Sequence, residues 1–173
     1  MVRMRFTNDE KSLRDQIFEL LQKSATSTEE DLKALLQCSA HIQDRILVET
    51  IARECELTLF GFLAKDDLEL YYDIKRGECD IGYISKGWEE PGFRIGDLVV
   101  ISKSRVESFK ARAGQLLKHC ATRGIVMTVE ESVDSIILQV DGVIYNEGFN
   151  KITFMKTLST LNTCVEKAHE LIG

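Results

Sequence analysis

The feature that most constrains this chain is the way it closes. Residues 125–131 and 135–141 are two strand-like runs split by Ser132–Asp134, and residues 150–172 then carry apolar side chains at helical spacing. Met155, Leu158, Leu161, Val165, Ala168 and Ile172 fall on one stripe, and Asn150 stands where a helix cap is needed. A stripe of that length must be buried against something large, and a sheet is the simplest candidate. The preceding segment, 105–122, repeats the pattern with Val106, Phe109, Ala113, Leu116, Leu117 and Cys120. Gly124 is placed to end that helix in a left-handed conformation.

Upstream, the chain changes texture twice. Residues 8–23, 28–37 and 40–55 have helical periodicity, and the motifs Thr7/Glu10, Ser27/Glu30 and Ser104/Glu107 have capping-box spacing. Residues 57–64 and 67–74 are rich in aromatic and strand-favouring side chains and flank Lys65-Asp66, which predicts a hairpin. A third strand is expected at 79–84 and a fourth at 98–102. The glycine-rich stretch between them, which also holds the only proline, Pro91, reads as a loop. The expected fold class is α+β, a twisted antiparallel sheet backed by helices over 56–173, with a helical N-terminal extension over 1–55.

Bulk properties remove several function classes. The chain of 173 residues has a net charge of −6, and no region is net basic, so it lacks the electrostatic footprint of a non-specific nucleic-acid binder. An acidic surface is also repelled by anionic lipid. There is no apolar run of membrane-spanning length, and the polar start lacks a signal-peptide core, so a cytoplasmic protein with no membrane partner is expected. The cysteines Cys38, Cys55, Cys79, Cys120 and Cys164 form no C-x-x-C pair, and their odd number speaks against a closed disulfide framework. They read as small buried hydrophobes.

From residue 40 onward the order is helix, three or four strands, helix, two strands, long helix. This order resembles the fold of class I type III secretion chaperones and of the bacterial sensory-transduction regulator family. The resemblance covers about two-thirds of the chain and rests on element order and the character of the last third. It implies a small acidic protein, often dimeric, that binds other proteins through sheet and helix surfaces and has no catalytic residues. The helical first 40 residues depart from that pattern.

Candidate sites follow from residue chemistry. Trp88 and Phe93 are large aromatics among Gly, Pro and charged residues, a composition typical of interface anchors. Tyr71 and Tyr83 are placed to line a sheet face, and alternation sends Tyr71 and Tyr72 to opposite sides. Cys38/His41 and His119/Cys120 do not make a credible zinc set, since adjacent helical residues diverge by about 100°. His41, His119 and His169 all fall in expected helices, without the oriented base that nucleophilic catalysis needs. No catalytic residue, metal or cofactor is therefore expected. The preferred reading is a non-enzymatic protein-binding module, a chaperone-like or regulatory adaptor that forms a homodimer. The alternative is a winged-helix transcriptional regulator built from residues 8–74, with Gln43, Arg45 and Arg53 facing DNA and a C-terminal dimerisation or sensing domain. Acidic residues on the same helix and wing oppose that alternative.

Overall fold

A computed structural model of the chain describes residues 43–61, 69–87 and 90–173. The chain divides into two compact units, Met1–Val48 and Glu49–Gly173. The expected helices at 8–23 and 28–37, the motifs Thr7/Glu10 and Ser27/Glu30, the pair Cys38/His41, the Lys65-Asp66 turn and Trp88 lie outside the described residues.

Residues 43–54 are helical (α1). The helix stops where Glu56 takes a left-handed φ of 58°, while Leu57 donates its N–H back to the Ala52 carbonyl at 2.9 Å. Two contacts fasten the end of α1 within the second unit. The Tyr72 hydroxyl donates to Glu49 Oε1 at 2.9 Å, and Lys151 Nζ donates to the Glu54 carbonyl at 2.8 Å.

The second unit is an α+β fold, a six-stranded antiparallel sheet that does not close, packed against helices. Its strands are β1 Thr58–Phe60, β2 Glu69–Arg76, β3 Cys79–Gly87, β4 Gly92–Ser102, β5 Val126–Glu131 and β6 Ser135–Tyr145. Their spatial order is β1-β2-β3-β4-β6-β5. The first four form a meander. Helix α2, Val106–Ala121, then carries the chain past the lane of β6, so β5 becomes the outer edge and β6 returns between it and β4. Helix α3, Lys151–Ile172, follows. It packs across β3, β4 and β6, and α2 packs beside it and over β5.

Register assigns each side chain to a face. The pairs Phe93↔Ile144, Val99↔Leu138 and Ile101↔Ile136 turn toward the helices and are all buried. From α3, Phe154, Leu158, Leu161, Cys164, Val165, Ala168, Leu171 and Ile172 are buried. Phe154 rather than Met155 begins that stripe. From α2 they are Phe109, Leu116 and Cys120, whereas Leu117 is exposed. Phe149 bridges Phe93 and Phe154, with ring centroids 4.2 and 5.6 Å away. Asn150 caps α3 by accepting from the Ile152 and Thr153 amides at 3.0 and 3.1 Å, and Thr153 Oγ1 accepts from the Asn150 amide in return. Gly124 ends α2 at φ 71°, a conformation that costs other residues strain.

Two expectations fail here. The loop expected over 85–97 is largely strand: β3 runs to Gly87 and β4 begins at Gly92. Ser104 does not cap α2, because it lies in a 3-10 turn, Lys103–Arg105, with its hydroxyl 3.1 Å from that of Ser102. The expected pairing of the first two strands is present, β1 against β2, and β2 is in turn paired with β3 along its whole length.

Candidate functional site: the helix-free face of the sheet

Alternation gives the opposite face of the sheet its own set of side chains. In one row across the strands stand Phe60, Asp73, Tyr83, Gly96, Asp141 and Val126. Flanking rows carry Tyr71, Ser85, Arg94 and Val143 on one side, and Leu98, Gln139 and Thr128 on the other. Val100 and Ile137 follow beyond Leu98.

At the centre lies a closed polar group. The Tyr83 hydroxyl donates to Asp141 Oδ1, and Gln139 Nε2 donates to both the Tyr83 oxygen and Asp141 Oδ2 at 2.9 Å. Tyr83 and Asp141 are both buried. The arrangement depends on Gly96, which leaves room between them. A Cβ there would lie 2.2 Å from Asp141 Oδ1 and 2.6 Å from the Tyr83 ring and hydroxyl. Burial pushes the Tyr83 phenol well above its ordinary ionisation range, and the Asp141 carboxylate adds to the shift. Tyr71 stacks on Tyr83 with centroids 5.5 Å apart, and its hydroxyl donates to Asp73 Oδ1 at 3.1 Å.

Beside Asp73, Arg94 and Thr128, this face also carries exposed apolar side chains. Leu98 is 52% exposed, Val100 64% and Tyr145 62%, and Val126, Val143 and Phe60 are also more than half exposed. A buried centre with its hydrogen bonds already made, beside exposed apolar side chains, is suited to contact with another macromolecule.

The sequence-derived candidates are dispersed. Phe93 is a correction: it is fully buried on the helix side, with Lys86 Nζ 5.0 Å from its ring, so it is core and no anchor. Tyr83 is buried in the polar centre, and Tyr71 lies partly exposed beside it. Gln43 is exposed and Arg45 half-buried on α1, and the 200° between positions two apart on a helix keeps them from sharing one groove-facing surface. Arg53 is exposed. Nothing local in the sequence marks Asp141, Gln139 or Gly96 as members of one site. The signal available was the alternation Gln139, Asp141, Val143, Tyr145, which shows that β6 continues past residue 141.

Among the described residues no group of three or more His, Cys, Asp or Glu side chains is placed to hold a metal ion. Cys120 and Cys164 are buried against each other between α2 and α3, where burial and the neighbouring thiol push the Cys120 pKa up to about 12. That makes Cys120 a poor nucleophile. His119 has its Nε2 buried without a hydrogen-bond partner. No helix among the described residues is long and apolar enough to cross a membrane.

The sequence matches no protein family and no curated protein. Two solved structures share the fold. An uncharacterised protein from Methanothermobacter thermautotrophicus superposes with a TM-score of 0.59 at 10% identity, over 74% of this chain and 95% of its own. YbjN, described as a candidate transcription regulator from E. coli, does so with a TM-score of 0.51 at 10% identity, over 71% of this chain and 89% of its own. Identities this low establish likeness of fold, and the YbjN likeness agrees with the sensory-transduction regulator half of the resemblance in element order.

Proposed function

We propose that this chain is a non-enzymatic protein-binding module, a regulatory adaptor of chaperone-like build, whose partner covers the helix-free face of the sheet. The partner is another protein or a second copy of the chain. The observation that carries this reading is the exposure of Leu98, Val100, Val143 and Tyr145 around a buried Tyr83–Asp141–Gln139 centre. Leaving such side chains in water forgoes roughly 25 cal/mol for each Å² of apolar surface that a partner would cover. The pre-formed hydrogen bonds of the centre mean that the Tyr83 hydroxyl and the Asp141 carboxylate already have partners when the face is covered. The description of YbjN as a candidate transcription regulator is in keeping with a regulatory role.

The test compares wild type with a Leu98→Ser/Val100→Ser variant by multi-angle light scattering and affinity capture. Wild type is expected to self-associate or retain a defined protein, and the variant to lose that property with an unchanged circular dichroism spectrum. Capture that is indifferent to the double substitution would reject the reading. So would nanomolar, salt-sensitive DNA binding that Arg45→Ala abolishes.

A further inference from the structure

A second surface lies at the edge of the sheet. β5 begins at Val126, which pairs with Asp141, so β6 runs on past it through Gly142–Tyr145 with no strand on its outer side among the described residues. Alternate residues of an antiparallel strand aim their N–H and C=O groups away from the partner already in place, here β4. No described hydrogen bond satisfies those outward groups along Gly142–Tyr145. The edge lies in an open groove of about 390 Å³, walled on one side by Arg123–Ile125 and on the other by the first turns of α3.

The charge of the groove is opposite to that of the chain. The protein has a net charge of −6, yet the groove contains Arg123 and Lys156 and no carboxylate. Lys156 makes no ion pair among the described residues. Arg123 uses Nη1 on the His119 carbonyl at 3.0 Å and on Thr122 Oγ1, and its other nitrogens make no described bond. Thr157 closes the floor over Gly142, where a Cβ would meet its methyl at 2.9 Å.

We propose that this groove takes an extended peptide segment bearing an acidic side chain, added as a strand along the free edge of β6 in the lane that β5 leaves empty. The backbone edge supplies the pairing, and Arg123 and Lys156 select the carboxylate. At about 3.4 Å per residue, the four-residue edge accommodates a contact of roughly four residues. The site borders the face proposed above at Val143 and Tyr145, but its backbone edge and its two cations are separate from Leu98 and Val100, and it does not depend on that reading.

The test is a titration of the isotopically labelled full chain, followed by amide chemical shifts, with the synthetic peptide acetyl-Thr-Val-Glu-Val-Thr-Val-amide and its Glu→Lys counterpart. Shifts are expected at the amides of 142–145 and 123–125. The acidic peptide should bind about tenfold more tightly, since two partly exposed ion pairs together supply a factor of that order. Arg123→Glu with Lys156→Glu should reverse the order of the two peptides, and Lys156→Gln, a mild surface change, should narrow it. Equal affinity for both peptides, shifts confined to other surfaces, or no shift at all would overturn the proposal. Any of those results with Leu98/Val100-dependent capture intact would remove this groove alone, and loss of that capture with the peptide result intact would remove the other reading alone.

Discussion

The two faces of the sheet are built from the same strands and resolve opposite problems. On the helix side, β4 and β6 present Phe93, Ile95, Val99, Leu138 and Val140, all buried beneath α3. On the other side, one residue out of step along the same strands, they present Leu98, Val100, Val143 and Tyr145, all more than half exposed, around a buried Tyr83–Asp141 hydrogen bond. The helix side has its energy in apolar burial and needs no partner. The other side has fixed its polar groups internally and left its apolar groups uncovered. That difference argues that the first face makes the fold and the second is available to a partner.

The contrast breaks most severely where the helix-side core is opened. Phe93→Ala should cost about 3–5 kcal/mol in urea denaturation, because the ring packs against Phe149 and is fully buried. A loss below 1 kcal/mol would mean that Phe93 is not the core residue described. On the other face, Gly96→Ala comes next, at about 1–3 kcal/mol, since the added methyl must displace Tyr83 or Asp141. Asp141→Ala should cost a similar or slightly smaller amount, about 1–3 kcal/mol, because it strips the Tyr83 hydroxyl and the Gln139 amide of an acceptor in a buried setting. If both variants are as stable as wild type, the polar centre is not a structural part of the sheet.

The same centre sets a pH dependence whose sign is fixed. Below the ordinary tyrosine pKa of 10.0 the Tyr83 phenol is neutral whether the chain is folded or unfolded, so its contribution is fully present. Above that value the unfolded phenol ionises while the folded one, its pKa raised by burial and by Asp141, stays neutral. Stability is therefore lost as pH rises beyond 10. Thermal melts of wild type should fall more steeply there than those of Tyr83→Phe, and parallel curves would dissociate Tyr83 from alkaline unfolding.

How much of this was legible follows from the same two faces. α2 and α3 could be read directly, because a clean period survives wherever one side of a helix is buried and the other wet. The β3–β4 hairpin could not. Its glycines resemble a loop, but Gly96 is there to let the Tyr83 side chain lie across β4, a requirement that exists only once the strands are paired. Tyr83 and Asp141 are 58 residues apart in the chain, and no local pattern joins them. The run Leu98–Ser102 looks uniformly apolar, so nothing in it says that Leu98 and Val100 face outward; register against β6 decides that. The groove at Gly142–Tyr145 was hidden for a related reason, because it exists only where β6 outlasts its neighbour.

The smallest expected effect on stability separates the faces most sharply. Leu98→Ser with Val100→Ser removes two large aliphatic side chains from one strand, yet both are more than half in water already. Each change should move unfolding free energy by no more than about 0.5 kcal/mol, the range of surface substitutions away from special features. The chemically matched pair Val99→Ser and Ile101→Ser, one position along the same strand, should instead unfold the protein or lower its denaturant midpoint severely, since both side chains are fully buried. Denaturation curves for the two double variants, run side by side, therefore test the assignment of faces with composition and strand held constant. If the outward pair proves as costly as the inward one, those side chains are buried in the protein as it exists in solution. Concentration dependence of that cost would then identify a second copy of the chain as what covers them, because only self-association links stability to protein concentration.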